Sequence, residues 1–132
     1  MSAAPFRSVL FICYGNACRS PMAEAIARRD LPGVAVASAG LVPLGFVPEE
    51  TTRALVEAGY DASGLESKPI DAALLDAADL VVDLCGDWIP PRGFAKKTAS
   101  WPVEDPYRKP FAVWRATRDD LVRRIGALAR GI

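Results

Sequence analysis

The 132-residue sequence predicts an α/β fold: one domain over residues 1–132, built on an open parallel sheet of four strands with helices on both faces. Three observations carry that expectation. The run Val9-Leu10-Phe11-Ile12 is uninterrupted apolar sequence, the mark of a parallel strand buried on both faces. Strand-like and helix-like segments then follow in the order β-α-β-α-(α)-β-β-α, which suits strands joined by helical crossovers. Between the first strand and the first helix lies a short glycine-containing loop, Cys13 to Arg19. In such sheets ligands bind beyond the carboxyl ends of the strands, where strand order reverses.

Each element has a local cause. After the loop, Pro21 falls in a first helical turn, where its missing N–H is tolerated, and Met22 to Arg29 continue as helix. Pro32-Gly33 breaks that helix, and Val34 to Ser38 reads as the second strand. Ala39-Gly40 opens a loop that runs through Pro43, Gly45 and Pro48. Glu49 to Ala58 is helical in pattern, acidic in its first turn, with Gly59 placed as a stop. Asp71 to Ala77 makes a short helix, and Leu80 to Leu84 a third, central strand. Pro90 to Gly93 marks a loop, and a short strand surrounds Thr98 to Trp101. The closing helix places Trp114, Leu121, Ile125 and Leu128 near one face, as core.

Composition narrows the function. Apolar residues make up 51% of the chain, enough for one real core. Sixteen basic and sixteen acidic side chains cancel, and without a basic arm the chain gives no sign of nucleic-acid binding. The pairs Arg28-Arg29, Lys96-Lys97 and Arg123-Arg124 read as solvated faces. No apolar run approaches the roughly 18 residues of a membrane span, and Met1 to Ser8 lacks a signal-peptide core. The expectation is a cytoplasmic protein that uses no membrane. Three cysteines, at 13, 18 and 85, do not suggest a disulfide framework. Histidine is absent, which excludes Cys–His and Ser–His–Asp catalysis and histidine-ligated zinc. Nothing calls for a metal or an organic cofactor.

The loop Cys13-Tyr14-Gly15-Asn16-Ala17-Cys18-Arg19-Ser20-Pro21 carries the chemistry. Backbone N–H groups of a tight loop before a helix converge into an anion-binding nest, and the helix dipole adds positive potential. Arg19 can fork two oxygens of a tetrahedral anion. The same field favours the thiolate of Cys13, so one loop both binds an oxyanion and arms a nucleophile. Gly15 is expected to keep the loop free of Cβ clashes, and Asn16 to tolerate a left-handed backbone.

Val9 to Glu24, with its loop of Tyr14, Gly15, Asn16, Ala17 and Cys18 between Cys13 and Arg19, resembles the signature of the low-molecular-weight protein tyrosine phosphatase superfamily. Glu104-Asp105-Pro106-Tyr107 is similar to the segment where that superfamily keeps its general acid in an Asp-Pro pair. The loop is then a phosphate-binding loop after the first strand. The middle of the chain is more similar to the thiol-coupled arsenate reductases: Ser38-Ala39-Gly40, Gly59 to Ser63, Ser67-Lys68, and above all Ala78 to Asp87 with Cys85. Two departures stand out. Thioredoxin-coupled reductases have a further cysteine soon after the position of Cys85, and Trp88 to Ser100 holds none. Tyrosine phosphatases keep an aromatic-rich segment after Ser-Ala-Gly and often a second tyrosine after Asp-Pro-Tyr. Here Leu41 to Val47 offers only Phe46, and Arg108 follows Tyr107.

The resemblance implies roles. Cys13 is the nucleophile that forms a phosphocysteine, Arg19 binds the equatorial oxygens, and Asp105 is the general acid, with Asp83 and Asp87 as weaker candidates. Asn16 organises the loop with Ser38 as its partner, and Ser20 donates a hydroxyl to the Cys13 thiolate; each also suits a plain capping or turn role. Cys18 is either a reversible disulfide partner of Cys13 or a small buried hydrophobe. Cys85 is either inert packing or a resolving thiol that attacks an arseno-cysteine at Cys13. Tyr14 and Tyr107 flank the pocket, with Trp88 and Phe46 as further candidates or as core. Lys68 falls where some reductases bind a monovalent cation, and its ammonium can take that ion's place or simply stand exposed. The substrate implied is a phosphotyrosine protein or small aryl phosphate. The alternatives are arsenate, with an external thiol reductant, or an oxyanion-binding regulatory pseudoenzyme.

Overall fold

Period-two burial along the first strand organises everything around it. In β1 (Ser8–Cys13), Val9, Phe11 and Cys13 face one core cluster while Leu10 and Ile12 face another. The structure, a computed structural model, describes residues 6–131 except 87, 89, 91, 92, 95 and 96. The strands β2 (Ala35–Gly40), β3 (Leu80–Asp83) and β4 (Thr98–Ser100) join β1 in one parallel sheet of order β2-β1-β3-β4. Against the Phe11 face pack α1 (Arg19–Asp30), α2 (Glu49–Glu57) and α4 (Phe111–Ala129), with Met22, Ile26, Leu55, Trp114, Leu121 and Ile125 fully enclosed. The Leu10 face is covered by α3 (Ala72–Ala77), through Leu75 and Ala78, with Trp88 and Phe94 packed beside them. Helices therefore lie on both faces, as predicted. Among the described residues, no helix is long and apolar enough to cross a membrane.

Among the boundaries that differ from the sequence reading, three have a clear physical reason. Helix α1 begins at Arg19, two residues before Pro21. Its first four N–H groups have no partner inside the helix, so proline at the third position breaks nothing. Strand β2 runs past Ser38 to Gly40 because β1 continues to Cys13 and the two stay in register, Cys13 against Gly40. Strand β3 ends at Asp83, whose carboxylate accepts the N–H groups of Cys85, Gly86 and Trp88 and turns the chain.

Strand order places the site. The chain leaves β1 toward β2 on one side and later returns to β3 on the other. The crevice between those diverging connections lies beyond the ends of β1 and β3, where the Cys13–Arg19 loop and the Leu84 carbonyl both sit.

Candidate active site

The loop after β1 is held by its carbonyls. Cys13 O accepts from Leu41 N (3.2 Å), Tyr14 O from Val42 N (2.8 Å) and Gly15 O from Leu44 N (2.9 Å). Gly15 O takes a second bond from Ser67 Oγ (2.9 Å), and Ala17 O one from Thr51 Oγ1 (2.8 Å). In a trans peptide the following N–H points away from the carbonyl. The N–H groups of Tyr14, Gly15, Asn16 and Cys18 thereby point away from these bonds, as an anion-binding nest requires. Asn16 adopts φ 45°, the left-handed conformation the loop needs to close. Cys18, the N-cap of α1, gives the helix no side-chain cap, and the helix starts at Arg19, where the loop ends.

A buried polar chain sets the orientation of the nucleophile candidate. Glu24 is 4% exposed, paired with Arg28, with Lys68 Nζ 3.8 Å from its Oε1. A carboxylate between two cations only accepts, so the Ser38 hydroxyl donates to it. Asn16 Nδ2 then donates to Ser38 Oγ (3.0 Å) and Ser20 Oγ (2.7 Å), while Asn16 Oδ1 accepts from Lys68 N (2.8 Å). Ser20, already an acceptor, has its own proton left for Cys13 Sγ at 3.0 Å. The Ser20 N–H adds a second donor to that sulfur, at 3.4 Å.

Arg19 is clamped from behind. Its Nη1 donates to Leu84 O (3.1 Å) and Val103 O (3.2 Å), one carbonyl past β3 and one past β4. Its Nη2 edge lies 3.7 Å from Asp105 Oδ2 and 3.9 Å from Cys85 Sγ. Asp105 is half exposed and its Oδ1 accepts the N–H of Tyr107 (3.1 Å). These groups share one cleft of about 270 Å³, lined by the loop, Asp105, Tyr107 and the apolar wall Val42-Pro43-Leu44. The Cys18 thiol, also in the lining, is pushed up to about 12, by burial first and then by Asp105 and Cys13.

The structure thus brings Cys13, Tyr14, Gly15, Ala17, Cys18, Arg19, Asp105 and Tyr107 to one cleft, with Asn16, Ser20 and Ser38 directly behind it. Other candidates lie elsewhere. Asp83 is 1% exposed and occupied by three backbone donors, so it shapes the turn after β3 and does not face the cleft. Asp87 lies outside the described residues. Trp88 packs in the core beside Leu10 and Ile12, and Phe46 is not part of the lining, which is aliphatic on that side. A Cβ at Gly15 would make ordinary contact with Leu44 Cβ (3.6 Å), so that glycine relieves no clash. The close approach is at Gly40, where a Cβ would meet Asn16 N and Cβ at 2.8 Å.

Three contributors went unread in the sequence. Glu24 was visible only as the end of a motif, although a carboxylate among Met22, Ala23, Ala25, Ile26 and Ala27 on a buried helix signals an interior partner. Thr51 left no local signal, and the Val42-Pro43-Leu44 wall showed only as a segment poor in aromatics, because both meet the loop only through folding.

Comparison with known proteins gives the chain a family and a shared fold. The sequence pattern described as low molecular weight phosphotyrosine protein phosphatase matches residues 8–132. An arsenate reductase of Halalkalibacterium halodurans is 37% identical over 92% of this chain and 94% of its own. The probable low molecular weight protein-tyrosine-phosphatase EpsP of Ralstonia nicotianae is 32% identical over 92% of each. A solved arsenate reductase in the phosphate binding state superposes with a TM-score of 0.86 at 33% identity, covering 96% of this chain and 98% of that one.

Proposed function

The chain belongs to the low molecular weight phosphotyrosine protein phosphatase family, and on that premise we propose that it hydrolyses phosphate monoesters, aryl phosphates and phosphotyrosine proteins above all, through a phosphocysteine. The loop N–H groups and Arg19 bind the phosphoryl oxygens, and Cys13 Sγ attacks phosphorus in line as the ester P–O bond breaks. Asp105 protonates the departing oxygen. It then takes a proton from the water that attacks phosphocysteine, releasing inorganic phosphate and the Cys13 thiolate. A cytoplasmic setting, where thiols are kept reduced, suits such a nucleophile.

One observation carries this reading. Asp105 stands beside Arg19 in a cleft that Cys13, Tyr14, Tyr107 and the aliphatic Val42-Pro43-Leu44 segment also line. Apolar side chains bury an organic leaving group, and a carboxylic acid in the same cleft protonates it; arsenate brings no such group. The expected results are that Cys13→Ser abolishes aryl phosphate hydrolysis and that Asp105→Asn lowers it by about 10²–10⁴.

A second reading, arsenate reduction, is favoured by Cys85 Sγ at 3.9 Å from Arg19 Nη2 and by the relative named as a reductase. There Cys85 would attack arseno-cysteine, forming a Cys13–Cys85 disulfide while As(V) leaves as As(III), and an external thiol would reduce the disulfide. Exposure of reduced protein to arsenate without added thiol, followed by a thiol count, separates the two. All three thiols intact favours the phosphatase; an arsenate-dependent Cys13–Cys85 bridge makes the protein a reductase.

A further inference from the structure

Thr117 lies on the buried stripe of α4 with Trp114, Leu121 and Ile125 and is 3% exposed. A position that only filled this stripe would suit an aliphatic side chain. A threonine inside a helix ordinarily turns its hydroxyl onto the carbonyl one turn back. Thr117 Oγ1 instead donates to Glu104 O at 3.1 Å, the residue before Asp105. One turn earlier on the same face, Trp114 Nε1 donates to Lys109 O at 3.3 Å. The two donors bracket the segment Asp105 to Arg108, and a turn closed by Lys109 N and Pro106 O (2.9 Å) lies between them. Within it Arg108 holds φ 63°, a conformation that a non-glycine residue keeps only where its surroundings impose it.

From this the geometry assigns Thr117 as a positioning residue for Asp105. Its hydroxyl anchors the Glu104 carbonyl, and that anchor sets where the Asp105 carboxylate stands relative to the cleft. The assignment rests on the reading of Asp105 as proton donor. Arg19 has anchors of its own in the Leu84 and Val103 carbonyls. Loss of the Thr117 hydroxyl should therefore impair proton delivery far more than oxyanion binding.

Leaving-group dependence reads that distinction. Ester cleavage of phenyl phosphate needs a proton on the departing oxygen, whereas 2,4-dinitrophenolate leaves without one. The experiment compares kcat/KM for phenyl phosphate and 2,4-dinitrophenyl phosphate, which reports the steps up to ester cleavage. Thr117→Val should lower the phenyl phosphate value about tenfold more than the dinitrophenyl value, a fraction of what a general acid contributes. Asp105→Asn should show the same pattern, larger. Thr117→Ser and Thr117→Ala both lack the methyl, so only the serine variant should recover phenyl phosphate activity; this pair also serves if the valine variant does not fold. Equal losses on both substrates, no loss on either, or a serine variant as impaired as alanine would overturn the assignment. Absence of leaving-group dependence in Asp105→Asn would instead place the fault in the reading of Asp105, and the assignment would fall with it.

Discussion

At the scale of single residues, the two cysteines of the loop have different surroundings. Cys13 receives the Ser20 hydroxyl and N–H, while Cys18 is buried with its thiol pushed up to about 12 from 9.0. Burial of neutral Cys18 is thus fully favourable below about pH 9, and that contribution is lost as pH rises toward about 12. In the native protein at pH 8, iodoacetamide should leave Cys18 unmodified, and peptide mapping should find it labelled only after unfolding. Native labelling of Cys18 at that pH would contradict the burial described. The sequence placed both cysteines in the loop, but a thiol's environment depends on what packs over it. That information was not in the spacing of Cys13 and Cys18.

At the scale of elements, the loop from Cys13 to Arg19 is shaped as much by the end of β2 as by its own residues. Gly40 pairs with Cys13 in the ladder and passes so close to Asn16 that any side chain would collide with backbone. Gly40→Ala should displace the loop, at a cost of about 1–3 kcal/mol for overpacking. Inorganic phosphate should then protect the variant against thermal unfolding much less than it protects the wild type. Equal protection would mean the loop tolerates the methyl group. Sequence reasoning singled out Gly15, inside the motif, because a motif is contiguous. The steric requirement lies at Gly40, brought there by strand pairing, and no local pattern reports a contact between residues 16 and 40.

At the scale of the whole molecule, α2 and α4 are joined by Glu57, which accepts from Arg115 and from Arg118, the latter 8% exposed. Hydrogen bonds from those two guanidiniums hold the Glu57 carboxyl down at about 2, from 4.5. A depressed carboxylate contributes stability above its unfolded value and loses it as pH falls through the folded one. The difference in denaturation midpoint between wild type and Glu57→Gln should therefore be full above about pH 5 and shrink as pH falls from 4.5 toward 2. A difference independent of pH would show that the pairing contributes nothing beyond packing. This tie also bears on the site, because α2 supplies Thr51 to the loop and α4 supplies Thr117 to the acid segment.

The sequence by itself determined the alternation of strands and helices, the burial of β1 on both faces, and the cradle of Cys13 to Arg19. These depend on periodicity and on contiguous residues, and both are local. Resemblance named Asp105, but only the tertiary structure put its carboxylate beside Arg19, gave Asp83 to a turn, and made Glu24 set the polarity behind Cys13. It also brought Val42-Pro43-Leu44 to one side of the cleft and put Cys85 beside Arg19. Those outcomes depend on which chain segments meet at the ends of β1 and β3, and strand order settles that through contacts between residues far apart in the chain.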